Sequence, residues 1–321
     1  MKNSTKDSER ILIPTGCIML DLALSDNIYQ GYVLGSLVNI VGDSSSGKTF
    51  LLLSLLATLS YDKRFKDYLL IYDEPEASLM INIPKLFGKK ADERITRLSS
   101  DTIEEFYERI KNFCEKKVKF IYGLDSLDAL SCKAEKKKIE GYHLEKPRLM
   151  SMILRNIVRD LRDQNSLVVI ISQTRERIGI RFGERKTRSG GKALRFYSTH
   201  EIWLAIKEHL EEKKKDIGVK VRARVKKNKV LGKLRDIEFD ILYDYGIDDI
   251  GSIVDFLVSQ EIWRREKKKI LASKDGFIDS SKEDLVSFIE EKSLEKKLFK
   301  FVDSKWKELE NFRRKRKPKF Q

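Results

Sequence analysis

Cysteine is scarce in this sequence, with only Cys17, Cys114 and Cys132 among 321 residues. An odd number leaves at least one thiol out of any intramolecular disulfide framework, and the wide separations match no cysteine-based metal site. We therefore expect reduced thiols, as in a cytosolic protein.

Long apolar runs are also missing. No stretch is long enough to span a bilayer, and the N-terminus lacks the apolar segment of a secretory leader. These absences predict a cytoplasmic protein with no membrane partner.

Acidic residues are outnumbered: 50 Asp and Glu face 65 Lys and Arg, for a formal net charge of +15. An excess of this size favours a polyanion as partner, either nucleic acid or an acidic membrane surface. The length and a hydrophobic content of 41% support one large domain with a smaller unit beside it.

The most informative stretch is residues 42–49, which match the phosphate-loop pattern G-x-x-x-x-G-K-[ST] in full. An apolar run at 37–41 predicts a strand before it, and 50–57 predict a buried helix after it, so that phosphates would lie at a helix N-terminus. The alternative is a chance serine-rich turn. The predicted nucleotide-binding residues here are Gly42, Asp43, Ser44, Ser45, Ser46, Gly47, Lys48, Thr49 and Phe50.

Short apolar runs alternate with amphipathic helical patterns from Ile11 to about Tyr245. This alternation predicts an α/β fold with a mostly parallel central sheet flanked by helices. Further core strands are expected at 68–72, 118–122 and 167–171. A helix is expected after Ser100 and Asp101, the candidate N-cap residues.

A metal ion beside the loop needs oxygen ligands. The Thr49 hydroxyl and Asp125, which follows the apolar run 120–124, are the predicted Mg²⁺ ligands, and Lys48 is expected to reach the β- and γ-phosphates. The alternative for Asp125 is an ordinary helix cap at a strand end.

Hydrolysis needs a carboxylate that orients and deprotonates water. Glu76 is the first candidate and Glu74 the second, with Pro75 between them. A solvated acidic turn is the alternative.

Gln173 follows the apolar strand 167–171, where a neutral side chain can contact a γ-phosphate and couple it to the next loop. That loop, 174–191, combines guanidinium groups with an aromatic and glycines, which indicates DNA binding, although a charge run can also be a solvated face. The predicted DNA-binding residues are Arg175, Arg177, Arg181, Phe182, Arg185, Lys186, Arg188, Gly190 and Gly191.

Taken together, these motifs resemble the RecA family of homologous-recombination ATPases, phage members included, over nearly the whole chain. Besides the phosphate loop, the segments that carry the resemblance are 13–24, 171–175, 178–183, 189–197, 227–229 and 239–247.

The resemblance implies a RecA-type ATPase core that uses ATP and Mg²⁺. It implies assembly into a helical filament on single-stranded DNA, pairing with double-stranded DNA, strand exchange, and release by hydrolysis. Lys227 and Lys229 match lysines that reach ATP on the neighbouring subunit, and Tyr243 matches a contact to the base.

The expected organisation has four parts: a flexible segment 1–10, the ATPase core 11–254, a small C-terminal helical or α/β domain 255–312, and a basic tail 313–321 that contacts duplex DNA. A first DNA loop is expected at about 133–147, and the second is 174–191.

The sequence departs from the family pattern at its N-terminus, where about ten residues precede the core. The segment with which RecA docks onto its neighbour is therefore expected to be mostly absent. Two alternatives remain: a recombination mediator that binds DNA and ATP without long filaments, and a DnaB-type hexameric helicase. The short, lysine-rich form favours a phage-encoded recombinase acting in the host cytoplasm.

Overall fold

The computed structural model describes residues 10–76, 81–136, 142–176, 186–188 and 191–313. The strands are β1 (Leu12–Ile13), β2 (Tyr32–Val33), β3 (Ser36–Gly42), β4 (Leu69–Asp73), β5 (Ile95–Leu98), β6 (Phe120–Leu124), β7 (Leu167–Glu176), β8 (Lys186–Arg188), β9 (His200–Glu212), β10 (Lys215–Asn228), β11 (Asp236–Leu242), β12 (Gly246–Asp248), β13 (Arg264–Glu266) and β14 (Lys269–Leu271). The α-helices are α1 (Ile18–Ser25), α2 (Lys48–Tyr61), α3 (Ile83–Phe87), α4 (Lys89–Arg94), α5 (Ile103–Glu115), α6 (Lys133–Lys136), α7 (Tyr142–Gln164), α8 (Gly191–Tyr197), α9 (Asp249–Ser259), α10 (Lys282–Glu291) and α11 (Glu295–Arg313).

A central sheet runs in the order β12-β11-β10-β9-β3-β7-β6-β4-β5, with β8 paired to β7. From β9 to β5 the neighbouring strands are parallel, while β10, β11 and β12 continue the sheet in antiparallel pairs. The predicted α/β fold with a mostly parallel sheet is confirmed.

The register brings the ends of the parallel strands to one edge. Gly42 pairs with Gln173 across β3 and β7. Leu124 of β6 pairs with Ile170 of β7 and with Asp73 of β4. The residues that follow these strands therefore meet at the carboxyl edge, where open α/β sheets bind ligands.

Helices cover both faces of the sheet. Alternate residues of β3 point to opposite sides, since Leu37 belongs to the core beneath α5 and α7 whereas Val38 and Ile40 belong to the core beneath α1, α2 and α9. Among the described helices, none has both the length and the apolar composition needed to cross a bilayer.

The start of α5 differs from the prediction. Thr102 is the N-cap, and its side chain accepts a hydrogen bond from the Glu105 N–H at 3.2 Å. Ser100 instead donates to the buried Asp73 carboxylate through both its N–H (2.8 Å) and its hydroxyl (2.6 Å). The prediction of Ser100 and Asp101 as N-cap residues was wrong, because Ser100 hydrogen-bonds to Asp73 and not to the start of the helix.

The two segments expected to be loops are partly regular. Within 133–147 the chain forms α6 and the start of α7, and within 174–191 it completes β7 and forms β8. The basic stretch 222–229 lies mostly in β10, which β9 and β11 flank on its two sides, so it does not form an edge of the sheet.

The C-terminal part consists of α9–α11 and the β13–β14 hairpin. Trp263 is buried against Phe277 and Phe301, and α9 and α11 pack onto α1. α9 continues across residue 254, where the sequence predicted a domain boundary, and the division into domains stays a prediction. The tail beyond 313 lies outside the described residues.

Candidate functional site

The turn between β3 and α2 has a backbone shape that glycine makes possible. Gly47 adopts a φ of 89°, and a Cβ there would lie 2.3 Å from Ile241 Cδ1. At Gly42 a Cβ would lie 2.3 Å from Ser46 Oγ and 2.8 Å from the Leu204 carbonyl oxygen. α2 begins immediately afterwards, so its free N–H groups point to the turn and attract anions.

Lys48 lies inside this turn and is only 8% exposed. Its Nζ donates a hydrogen bond to the Asp43 carbonyl oxygen at 2.5 Å. Burial lowers its pKa, and nearby carboxylates, Asp125 foremost, oppose that shift. The ammonium group is thus held at the loop by a backbone acceptor.

Asp125 and Thr49, the two predicted Mg²⁺ ligands, are in contact with each other, and metal binding by them stays a prediction. The Thr49 hydroxyl donates to Asp125 Oδ2 at 2.6 Å, and the Tyr72 hydroxyl donates to the same oxygen at 3.0 Å. Burial, then the charge of Asp125, raises the pKa of Tyr72. Ser126, not Asp125, is the N-cap of the following 3₁₀ turn at Leu127–Ala129, so the alternative of a helix cap does not describe Asp125.

The acidic turn after β4 separates three carboxylates. Asp73 is buried and accepts hydrogen bonds from Ser100 and from the Tyr122 hydroxyl. Glu74 and Glu76 both line the cleft above the loop, and the charge of Glu76 acts on Lys48. Both Glu74 and Glu76 therefore remain candidates for the carboxylate that orients water.

The end of β7 contacts the loop. The Gln173 N–H donates to Asp128 Oδ2 at 2.8 Å, and the Thr174 hydroxyl hydrogen-bonds to Asp43 Oδ1. The contact of Thr174 with Asp43 was not anticipated, because no local pattern links residues 131 positions apart.

A cleft of about 520 Å³ extends from the loop to the β9–β10 hairpin. Tyr243, 42% exposed, lines this cleft, and its contact with a base stays a prediction. The described residues that line it are Ser45, Ser46, Gly47, Lys48, Thr49, Phe50, Tyr72, Glu74, Glu76, Ile81, Asp125, Ile206, His209, Val219, Ile241 and Tyr243.

The arginine-rich segment is described only in its stems. β7 and β8 form an antiparallel pair in which Thr174 opposes Arg188 and Glu176 opposes Lys186. Arg175 lies in β7, and Gly191 begins α8. The remaining predicted DNA-binding residues, Arg177, Arg181, Phe182, Arg185 and Gly190, lie outside the described residues.

Lys227 and Lys229 lie at the opposite edge of the sheet. Lys227 Nζ donates to the carbonyl oxygens of Arg195 and Phe196, the latter at 2.9 Å, and Lys229 Nζ donates to Phe196 at 3.5 Å. Burial and the neighbouring Lys229 lower the pKa of Lys227 to about 8. Neither lysine is among the described residues that line the cleft.

A phosphate loop between a central parallel strand and a helix, with an acidic strand end beside it, defines the class of P-loop α/β proteins. The family model for the RecA N-terminal domain matches residues 1–248. The chain belongs to the RecA family, and the predicted resemblance and RecA-type core are confirmed.

Curated relatives agree. The chain is 33% identical to protein RecA of Leptospira meyeri over 263 residues, covering 80% of this chain and 65% of that protein. It is 34% identical to protein RecA of Nautilia profundicola over 269 residues, covering 82% and 74%. It is 32% identical to protein RecA of Clostridioides difficile over 259 residues, covering 79% and 71%. Phage origin stays a prediction.

Proposed function

We propose that this protein is an ATP-dependent DNA recombinase that assembles on single-stranded DNA, pairs it with duplex DNA and exchanges strands. The observation that carries the proposal is the complete phosphate loop, with Lys48 and the Thr49–Asp125 pair in place, in a chain of the RecA family. An excess of 15 positive charges favours a polyanion partner.

The loop residues fit a nucleoside triphosphate with Mg²⁺. Gly42 and Gly47 leave room where a Cβ would intrude, and Lys48 can exchange the Asp43 carbonyl for phosphate oxygens. Thr49 and Asp125 offer the hard oxygen donors that Mg²⁺ prefers. When bound, the ion would offset charge on the phosphates.

Hydrolysis requires a base near the phosphate end of the cleft. Glu76, an exposed carboxylate whose charge acts on Lys48, is proposed to orient and deprotonate water, with Glu74 as the second candidate. Gln173 is proposed to sense the γ-phosphate, because its backbone is fixed beside the loop by Asp128.

Assembly would complete the site. Lys227 and Lys229 lie away from the cleft of their own chain, so we propose that they reach the nucleotide of a neighbouring subunit. A phosphate beside Lys227 would favour its protonated form and so oppose the burial and the Lys229 charge that lower its pKa to about 8.

DNA contact is proposed for the two loops, and the contact between Thr174 and Asp43 supports a coupling between the second loop and the nucleotide. Thr174 lies at the base of the second loop and Asp43 in the phosphate loop. A change in the phosphate loop would therefore reach the DNA-binding segment through one side chain.

The test combines electron microscopy with one variant. Wild-type protein with single-stranded DNA and a slowly hydrolysed ATP analogue should form helical filaments. Lys48→Ala should form none, and its ATP affinity should fall about 10- to 100-fold because a charged hydrogen-bond donor is lost. Lys66→Ala, a change at an exposed lysine after α2, is the matched control and should behave as wild type.

Other particle shapes would decide against the proposal. Closed rings would indicate a motor of the hexameric helicase type, and dispersed particles would indicate a mediator. Unchanged ATP affinity in Lys48→Ala would remove the assigned nucleotide site.

A further inference from the structure

Three polar side chains meet at the β9–β10 hairpin, beside the cleft. His209 comes from β9, Asp216 from β10, and Tyr243 follows β11. Asp216 Oδ2 lies 3.1 Å from His209 Nδ1 and accepts a hydrogen bond from the Tyr243 hydroxyl at 3.4 Å. One carboxylate thus contacts both aromatic side chains.

The backbone fixes this carboxylate in place. The pairing of β9 and β10 is irregular between Asp216 and Gly218, and the Gly218 N–H donates to Asp216 Oδ1 at 3.3 Å. A Cβ on Gly218 would lie 2.3 Å from the Ile241 carbonyl oxygen, so β10 and β11 approach closely there. The Tyr243 N–H donates to the Ile217 carbonyl oxygen at 3.0 Å, which ties the tyrosine to the same strand.

His209 and Tyr243 line the cleft, and an apolar wall of Ile206, Val219 and Ile241 joins them to the phosphate loop. Ile241 also approaches Gly47 of that loop. A ligand with phosphates at one end and a flat ring at the other would place the ring against the two aromatic side chains. Aromatic faces favour such stacking.

We propose that Asp216 is a positioning residue for the nucleobase: it holds the His209 and Tyr243 side chains as a paired surface against which the base stacks. This inference rests on the proposed nucleotide site. The side chains of His209 and Asp216 are 59% and 45% exposed, so an isolated surface pair here would add little stability. The Asp216 carboxylate instead orients the two rings before the ligand binds, which reduces the entropy cost of binding.

The experiment compares two probes by isothermal titration calorimetry: ATP, which has a base, and inorganic tripolyphosphate, which has none. Asp216→Ala should lower ATP affinity about five- to tenfold, the equivalent of one or two hydrogen bonds, and leave tripolyphosphate affinity unchanged. Asp216→Asn keeps an acceptor oxygen for Tyr243 and should recover part of the loss. The control is Asp244→Ala, beside Tyr243, because the Asp244 side chain is 87% exposed and pairs with Lys85.

The outcomes separate this inference from the proposed function. An unchanged ratio of ATP affinity to tripolyphosphate affinity in Asp216→Ala would overturn the inference, whether both affinities stay the same or both fall by the same factor. If Asp216→Ala does not fold, the ratio measured for Asp216→Asn decides. Wild-type protein that binds neither probe would overturn the proposed nucleotide site, and the inference with it.

Discussion

At the scale of single residues, His200 shows how burial sets protonation. Its side chain is fully buried, packs near Tyr32 with ring centroids 6.0 Å apart, and lies opposite Asn228 in the β9–β10 ladder. Burial lowers its pKa to about 4, and the nearby Asn228 side chain opposes only part of that shift. Between about pH 4 and 6.5 the folded protein therefore keeps a neutral imidazole, whereas a solvated histidine would be protonated.

This histidine should make stability depend on pH. An unfolded histidine has a pKa of about 6.5, so between that value and about 4 only the unfolded state takes up the proton. Stability should fall as pH drops through this window, by up to about 3 kcal/mol for this residue. The measurement is the free energy of unfolding by denaturant from pH 7.5 to 4.5, for wild type and His200→Gln.

The difference in the free energy of unfolding between His200→Gln and wild type at pH 7.5 reports the loss of packing. The change in that difference at lower pH reports the titration of His200. Parallel stability curves for the two proteins would contradict the assignment.

At the scale of elements, the junction of β3, the loop and α2 depends on the left-handed backbone of Gly47. Gly47 immediately precedes α2 and faces Ile241 of β11, so the start of the helix is placed by contact with a strand on the far half of the sheet. The helix and the phosphate loop therefore share one steric constraint.

Gly47→Ala should strain this junction. A left-handed alanine costs about 1 kcal/mol, and the clash at 2.3 Å with Ile241 adds to it, so we expect a loss of about 2–3 kcal/mol and weaker ATP binding. Gly232→Ala is the control, because Gly232 has a φ of 69° but no atom within 4 Å of an added Cβ. Equal losses in thermal unfolding for both variants would show that the contact with Ile241 is unimportant.

At the scale of the whole molecule, a partly buried ion network joins the C-terminal helices to the central sheet. Lys220 of β10 lies 2.7 Å from both Asp240 of β11 and Asp255 of α9, and Lys282 of α10 lies 3.1 Å and 2.8 Å from the same carboxylates. Burial opposes ionisation of Asp255, but Lys282 and Lys220 hold its pKa below the ordinary value. Each carboxylate therefore bridges two lysines.

Lys282→Ala should loosen this attachment. Asp240, with a side chain only 3% exposed, would keep Lys220 alone, so we expect a loss of about 1–3 kcal/mol in the free energy of unfolding. Lys111→Ala removes a surface pair with Glu115 and should cost less than about 0.5 kcal/mol. The measurement is denaturant unfolding at neutral pH, and similar values for the two variants would refute the role of the network.

Much of the fold and part of the candidate site could be predicted from local pattern. The phosphate loop is contiguous, and the apolar runs around it locate β3 and α2 directly. Strand ends in a parallel sheet share an edge, so Asp125, Gln173 and the acidic turn could be predicted to lie near the loop. The sequence alone therefore determined the class of fold, the position of the phosphate-loop motif and the family.

Only the tertiary structure decided which distant side chains touch. Tyr72 reaches Asp125, Thr174 reaches Asp43, and Asp216 joins His209 to Tyr243. These contacts depend on strand register and on close approach between neighbouring strands, both of which are set by packing over the whole sheet. Residues adjacent in a loop specify each other through the backbone, whereas residues far apart in the chain meet only after the sheet has formed.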